Sequence, residues 1–421
     1  MELKAGYKQA EVGVIPEDWD VRRLGDIATV TSGGTPSRDV PSYWNGTIPW
    51  VTTSQIDFEG INNAAQFITE LGLKNSAAKK LPVGTLLMAM YGQGKTRGKV
   101  GVLAIEATTN QACAAIVLDD TDIYPTYIFH YLISRYDTVR NLSNSGSQEN
   151  LNALIIRSIQ ILLPPLPEQR AIAAALSDMD ALLTGLDALI AKKRDLKQAA
   201  MQQLLTGKQR LPGFSGAWEV RQFGDMFRFL NTANNPRSDL VEHGDIGYIH
   251  YGDIHTGTSS FLDCSSVAFP YIAQELVASI PALEDGDMIM VDASEDYEGI
   301  GKCVEVKNVG RRRVVAGLHT LLLRGDKSRV ADGFKGYLQY LPAVKESLMR
   351  LATGISVYGI SKNSVKSVEV SLPCTDEQAA IAAVLSDMDA ELAALATRRD
   401  KTRALKQGMM QELLTGRIRL V

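Results

Sequence analysis

The stretch Ala89-Met90-Tyr91-Gly92-Gln93-Gly94-Lys95-Thr96 fits a relaxed phosphate-binding loop, with strand-like residues ahead of it. Such a loop must run into a helix, whose first amides and dipole hold the phosphate. Here Arg97-Gly98-Lys99-Val100-Gly101-Val102 follows, glycine-broken and then β-like. The corresponding Tyr297-Glu298-Gly299-Ile300-Gly301-Lys302-Cys303 has no Ser or Thr. The spacing therefore predicts a basic turn between strands, from which Lys95, Arg97 and Lys99 reach phosphates, rather than a nucleotide site. His130, His243, His250, His255 and His319 form no ligand set, so no metal is expected. Cys113, Cys264, Cys303 and Cys374 have neither metal nor disulfide spacing and read as thiols in a reducing cytoplasm. No Ser/His/Asp grouping is legible, and the acidic run from Glu284 to Glu298 reads as a solvated loop.

What remains is the chemistry of contact. Asn, Gln, Ser, Thr and Arg suit donor and acceptor readout of base edges in a major groove. They concentrate in loops. The first half of the chain offers Thr35, Ser37 and Arg38, then Thr52, Thr53 and Ser54, then Asn110 and Gln111, and finally Ser147 and Asn150. The second half offers Asn234 and Arg237, His250 and Tyr251, Lys302, and Tyr358. Arg311, Arg312 and Arg313 form a compact basic run suited to phosphates. Composition limits this reading. Formal net charge is −4. Residues 1–165 carry 14 basic and 16 acidic side chains, and residues 212–371 carry 16 and 20. No segment is basic overall, so any nucleic-acid binding needs local patches or a partner that supplies charge. No stretch is apolar over the roughly 18 residues of a membrane span.

The elements that hold these loops are set by a repeat. Residues 163–211 and 372–420 align without a gap at an offset of 209, identical at 29 of 49 positions. Each copy predicts a long helix. Glu168-Gln169 opens an Ala-rich run after Pro167, and Ser177-Asp178-Met179-Asp180 is expected to cap a segment of about 45 Å ending near Gly207. Apolar residues recur at coiled-coil spacing, at Met179, Leu183, Leu186 and Leu204, and at Met388, Leu392, Leu395 and Leu413. Acids lead and bases trail in both copies, so the pair is expected to lie antiparallel, acid against base.

Ahead of each helix lies a domain of short β-type runs. The two domains are weakly alike: Trp19-Asp20-Val21-Arg22 echoes Trp218-Glu219-Val220-Arg221. The unit is a domain plus a helix, present twice and nearly closed into a circle, which places Val421 near the N-terminal residues. The expected fold is α+β: two similar domains separated by two long antiparallel helices with pseudo-two-fold symmetry. The expected boundaries are 1–165 and 211–373 for the domains, and 166–210 and 374–421 for the helical spacers.

Together, LPPLPEQRAIAAALSDMD, LKQAAMQQLLTG and the run TSGGTPSRDVPSYWNGTIPWVTTSQI resemble the DNA-specificity subunits of type I restriction–modification systems. The resemblance covers essentially the whole chain, and is weaker where NTANNPR stands for SGGTPSR. It implies that each domain is a target recognition domain reading half of a bipartite double-stranded DNA sequence. It implies that the helices fix the half-site distance and dock two modification subunits and, where present, restriction subunits. S-adenosylmethionine, ATP and Mg would then belong to those partners. This chain would hold no cofactor, catalyse nothing, and work in the cytoplasm away from membranes. Two other readings are a nucleotide-dependent enzyme built on residues 89–96 and a protein-binding scaffold.

Overall fold

The structure, a computed structural model, describes residues 5–92, 94–119, 121–142, 150–257, 259–295 and 297–420. The chain divides into two units, residues 1–187 with 397–421 and residues 188–396.

In the first unit the central strands are apolar at every position because both faces of their sheet are covered. Leu86 and Met88 point into one core with Trp19, Tyr127 and Ile172, while Leu87 and Ala89 point into another with Val51, Ile56 and Cys113. The sheet runs in the order Ala28–Ser32, Cys113–Leu118, Leu86–Ala89, Val100–Leu103, Gly60–Ile61. A three-stranded sheet of Thr108–Thr109, Trp44–Val51 and Gln66–Ile68 accompanies it. The second unit has the same plan. Its five strands run Phe227–Leu230, Thr320–Gly325, Met288–Val291, Cys303–Lys307, Phe261–Asp263, and its three run Tyr271–Ile272, Ile246–Ile249, Arg313–Ala316. Even the parallel pairs correspond, Gly60–Ile61 on Val100–Leu103 and Phe261–Asp263 on Cys303–Lys307. The weak sequence echoes are thus a duplicated topology.

Each repeat contributes one unbroken helix of 39 residues, Leu166–Leu204 and Thr375–Leu413. At 1.5 Å per residue each is about 58 Å long, more than the 45 Å expected. The difference lies at Ser177, which does not cap: the helix runs straight through it, and its hydroxyl meets His130 Nε2 at 3.2 Å. Gly207 and Gly416 stop the helices at φ +68° and +71°, the left-handed conformation that spares glycine a Cβ penalty.

Both units contain a piece of each long helix, and in both the pieces run antiparallel. Within the first unit Asp180 pairs with Lys406, and Asp187 with Arg399 at 3.5 Å. Within the second, Lys193 pairs with Glu391 at 2.7 Å and Lys197 with Asp389. Partners rise along one helix as they fall along the other, acid against base. Half-exposed pairs of this kind contribute under about 1 kcal/mol each, so they fix direction more than stability. Leu186 is buried, and Met179, Leu183, Met388, Leu392 and Leu395 are half-buried. Leu204 and Leu413 leave the seam to join the cores of the second and first units respectively.

The residues that open each helix have a role the periodicity did not suggest. Glu168, Gln169, Glu377 and Gln378 are all 2% exposed or less. The Gln169 amide donates to the carbonyls of Asp122 and Pro164 at 3.0 Å and accepts from Tyr124 N at 2.8 Å. Gln378 repeats the set with Arg329, Pro373 and Ala331. Glu168 binds Arg419, and Glu377 binds Arg210, each as a two-pronged pair. Val421 lies outside the described residues, but in the first unit Arg419 also reaches Asp18, and the Tyr7 hydroxyl donates to Gly416 O.

His130 supplies a stability prediction. Burial holds its imidazole neutral, lowering its pKa from 6.5 to about 4; Asp180 opposes the shift and Lys406 adds to it. Between those values the unfolded chain binds a proton that the folded unit does not, so stability rises with pH there. Acidification from pH 7 to 5 is expected to remove about 2 kcal/mol through this group. In urea unfolding, His130→Asn should lose that part of the difference; an unchanged gap between the two pH values contradicts it.

The acidic run 284–298 departs from expectation, because it is not simply solvated. Asp287 is 1% exposed and accepts from both Arg324 Nε and Nη2 at 2.8 Å. Asp292 is partly buried and its pKa is raised by that burial, against the pull of His319.

Candidate nucleic-acid interface

Antiparallel register brings the polar loops of the first unit to one end of its main sheet. Ala114 lies opposite Ser32, Cys113 opposite Ala89, and Met88 opposite Val100. The loops 33–38, 90–99 and 109–112 therefore leave the same edge. They press together so closely that a Cβ on Gly33 would sit 2.0 Å from Thr109 O, which makes glycine obligatory there. Gly34 N donates to Thr109 O, Trp50 Nε1 to Gly34 O, and Asn110 N to Val51 O, which draws in Thr52, Thr53 and Ser54. The Thr35 hydroxyl donates to Gln111 Oε1. Thr52 and Ser54 share a hydrogen bond of 2.8 Å.

Arg38 is the best-positioned cation of this face. Its guanidinium lies 3.7 Å from the Trp44 ring centroid and 5.1 Å from that of Trp50, and the two rings pack edge to face. Nη2 donates to Gln66 at 2.7 Å. The Ser37 carbonyl holds Trp44 Nε1 at 2.9 Å, fixing the platform. Of five N–H donors, Arg38 uses one among the described residues, so an exposed fork is left facing outward.

The basic turn is confirmed as a turn: residues 94–98 are not helical, and a strand follows from Val100. Its three cations are not equivalent. Lys95 is exposed, with its carbonyl accepting from Tyr136. Lys99 is half-buried on Asp57. Arg97 is 6% exposed, a correction to its expected phosphate role. The turn folds back through Gly98 N to Ala89 O and Ala89 N to Lys99 O, which carries Arg97 inward. Leu151 N donates to Met90 O, so Asn150 reaches the same edge, half-buried. Ser147 lies outside the described residues.

In the second unit Leu230 lies opposite Leu322, Val291 opposite Thr320, and Met290 opposite Cys303. Loops 231–237, 292–302 and 317–319 again share one sheet end, but with different side chains. Asn234 is exposed, and Arg237 reaches Asp253 at 3.2 Å. The ring of Tyr251 lies 4.4 Å from that of His250 and 5.5 Å from that of His319, which meets Asp292 at 3.4 Å. Tyr358 packs edge to face on Tyr297 at 4.9 Å. His319, Asp292 and Tyr297 were not singled out from sequence. The signal was the alignment of residues 317–319 with the Asn110-Gln111 loop, visible only once the sheets are superposed by order.

Four further residues do other work. His250 is 7% exposed and caps helix Tyr251–His255, its Nδ1 accepting from Gly252 N; burial lowers its pKa, with Arg237 adding. The Lys302 ammonium is taken up by the carbonyls of His255 and Gly257. Arg312 and Arg313 donate to the carbonyls of Cys264 and Val277 at the opposite end of the sheets, where Arg311 is exposed. The triple-arginine run is thus away from the loop face. Contiguity in sequence hid this, because alternate ends of a strand are only a few residues apart.

Among the described residues no group of His, Cys, Asp and Glu could hold a metal, and no helix is long and apolar enough to cross a membrane. Burial pushes Cys113 and Cys264 up to about 11 and Cys303 to about 12, leaving them inert thiols.

Residues 16–192 match the family model for the type I restriction modification DNA specificity domain. The type I restriction enzyme MjaIX specificity subunit of Methanocaldococcus jannaschii is 27% identical over 265 residues, 58% of this chain and 60% of that protein. A putative MjaX specificity subunit from the same organism is 23% identical over 98% of this chain and 97% of its own length. A type I restriction–modification S subunit structure from M. genitalium shares the fold at TM-score 0.59, with 14% identity and 98% of each chain covered.

Proposed function

We propose, starting from a chain that belongs with the non-catalytic DNA specificity subunits of type I restriction–modification systems, that each unit reads one half of a two-part double-stranded DNA target. The observation that carries this is the pair of loop faces: one sheet end in each unit, built on one topology, dressed with different polar and aromatic side chains. Different side chains on equivalent loops imply an asymmetric target. The paired helices set the gap between half-sites and dock methyltransferase subunits, which would bring S-adenosylmethionine. Restriction subunits, with ATP and Mg, would assemble on the same frame.

In the first half-site, Arg38 and Lys95 are the exposed cations, and Thr35, Gln111, Asn110 and Thr52 to Ser54 are the candidate base-edge readers. Asn234, Arg237, Tyr251 and Tyr358 are their counterparts in the second. With a net charge of −4, the isolated subunit is expected to bind DNA poorly and to protect it only with methyltransferase partners present. Footprinting with and without partners tests this; nanomolar, sequence-specific binding by the subunit alone would contradict it.

Arg38→Ala is expected to weaken binding of the assembled complex about tenfold and to reduce the salt slope by roughly one if the contact is to phosphate. A salt titration that leaves both affinity and slope unchanged removes Arg38 from the interface.

A further inference from the structure

Ile355 is the most exposed large apolar side chain among the described residues, at 94%, and Val357 beside it is 54% exposed. Single exposed apolar side chains are ordinary on protein surfaces; Ile355 is set apart by the hairpin that presents it beside a second exposed aliphatic, Val357. The segment that displays it is built rather than loose. Thr353 N donates to Gly359 O at 2.9 Å and Gly359 N to Thr353 O at 2.7 Å, closing a short hairpin. Gly354 sits at φ +137°, and a Cβ on it would lie 2.0 Å from Val357 O, so the turn is tight enough to demand glycine. The hairpin is stitched to the loop face of the second unit. Gly359 pairs with Ala293, Tyr358 pairs with Ser294, and Ile360 N donates to Asp292 O at 2.8 Å. Asp292 in turn meets His319. Tyr297 braces Tyr358 and ties its own hydroxyl to Met349 O at 2.7 Å.

We infer that Ile355 enters the major groove of the second half-site and recognises a thymine through its C5-methyl group. This rests on the DNA-reading function proposed above and extends it to a named base. Thymine is the one base of ordinary DNA that presents an apolar group in the major groove. The hairpin places an aliphatic tip on a face otherwise made of polar and aromatic side chains. A β-branched side chain has few rotamers to lose on binding, which favours a fixed methyl-to-methyl contact.

The test uses the full chain assembled with its methyltransferase partner on its mapped target. Each thymine is replaced singly by deoxyuridine, which removes the methyl and keeps the pairing. At one position in one half-site the parent complex is expected to lose about fourfold in affinity, the worth of one buried methyl. Ile355→Ala is expected to lose a similar factor on unmodified DNA and to be indifferent to deoxyuridine at that position. Its thermal unfolding should match the parent, since the side chain packs on nothing. The inference is overturned if every deoxyuridine is neutral in the parent, if the second half-site has no thymine, or if the penalty persists in Ile355→Ala. A loss in Ile355→Ala with an unchanged deoxyuridine pattern also overturns it and assigns the tip to protein assembly. A parent complex without sequence-specific binding would instead sink the DNA-reading function itself.

Discussion

Glu168→Ala should destabilise the first unit by about 3–5 kcal/mol, the usual loss when one partner of a buried charge pair is removed. Glu168 is 1% exposed and accepts four hydrogen bonds. Arg419 Nε donates to Oε1 at 2.7 Å and Nη2 to Oε2 at 2.8 Å; Trp19 Nε1 donates to Oε2 at 3.0 Å and Leu420 N to Oε1 at 3.2 Å. Truncation leaves a buried indole N–H and a guanidinium without their acceptor. The outer pair of Arg419 with Asp18 is half-exposed and cannot make up the loss, although its hydrogen bonds hold the Asp18 carboxyl below its usual range. Glu168→Gln keeps the shape and one acceptor and should cost less. The effect is read from urea midpoints at constant slope; equal midpoints for Glu168→Ala and the parent would show that the carboxylate is dispensable. Because Arg419 and Glu168 stand 251 positions apart, the same loss should free the end of the chain from the start of the first long helix.

If the paired helices set the half-site gap as proposed, removing seven residues from the middle of each should shorten it. A heptad is the deletion that preserves the apolar seam and the acid-to-base pairing. It shortens each helix by about 10 Å, or roughly three base pairs at 3.4 Å per step. Removing seven from one helix alone should break the antiparallel pairing, moving Asp180 off Lys406 and Lys193 off Glu391. A methyltransferase complex carrying the matched double deletion is therefore expected to modify a new target with the same two proposed half-sites closer together. The single deletions are expected to methylate none. Methylation mapping with an unchanged gap in the matched deletion would show that helix length does not set the spacing.

Much of this organisation was legible because it repeats. The offset of 209 gave two helices, their direction and their glycine stops, since charge order and spacing are local properties of a helix. The strands were legible as apolar runs for the same reason. What escaped depended on contacts far apart in sequence. Glu168 and Glu377 read as ordinary first-turn acids, and only the fold brings Arg419 and Arg210 to them. Arg97 and the Arg311 to Arg313 run read as phosphate contacts, but hairpin closure turns one inward and strand direction carries the others to the far end. His250 and Lys302 read as DNA contacts and are instead occupied by a helix cap and two carbonyls. Conversely Arg38 gained weight, because its platform of Trp44, Trp50 and Gln66 comes from two paired strands whose register no local pattern sets.

Single-molecule mapping of methylated bases, in a host expressing this chain with a methyltransferase subunit, tests the proposed two-part recognition most directly. The expected result is one asymmetric target of two unlike half-sites at a fixed gap. Exchange of residues 231–237 and 317–319 for those of a relative should alter only one of the two. A palindromic target, a change in both half-sites, or methylation without sequence preference would contradict it.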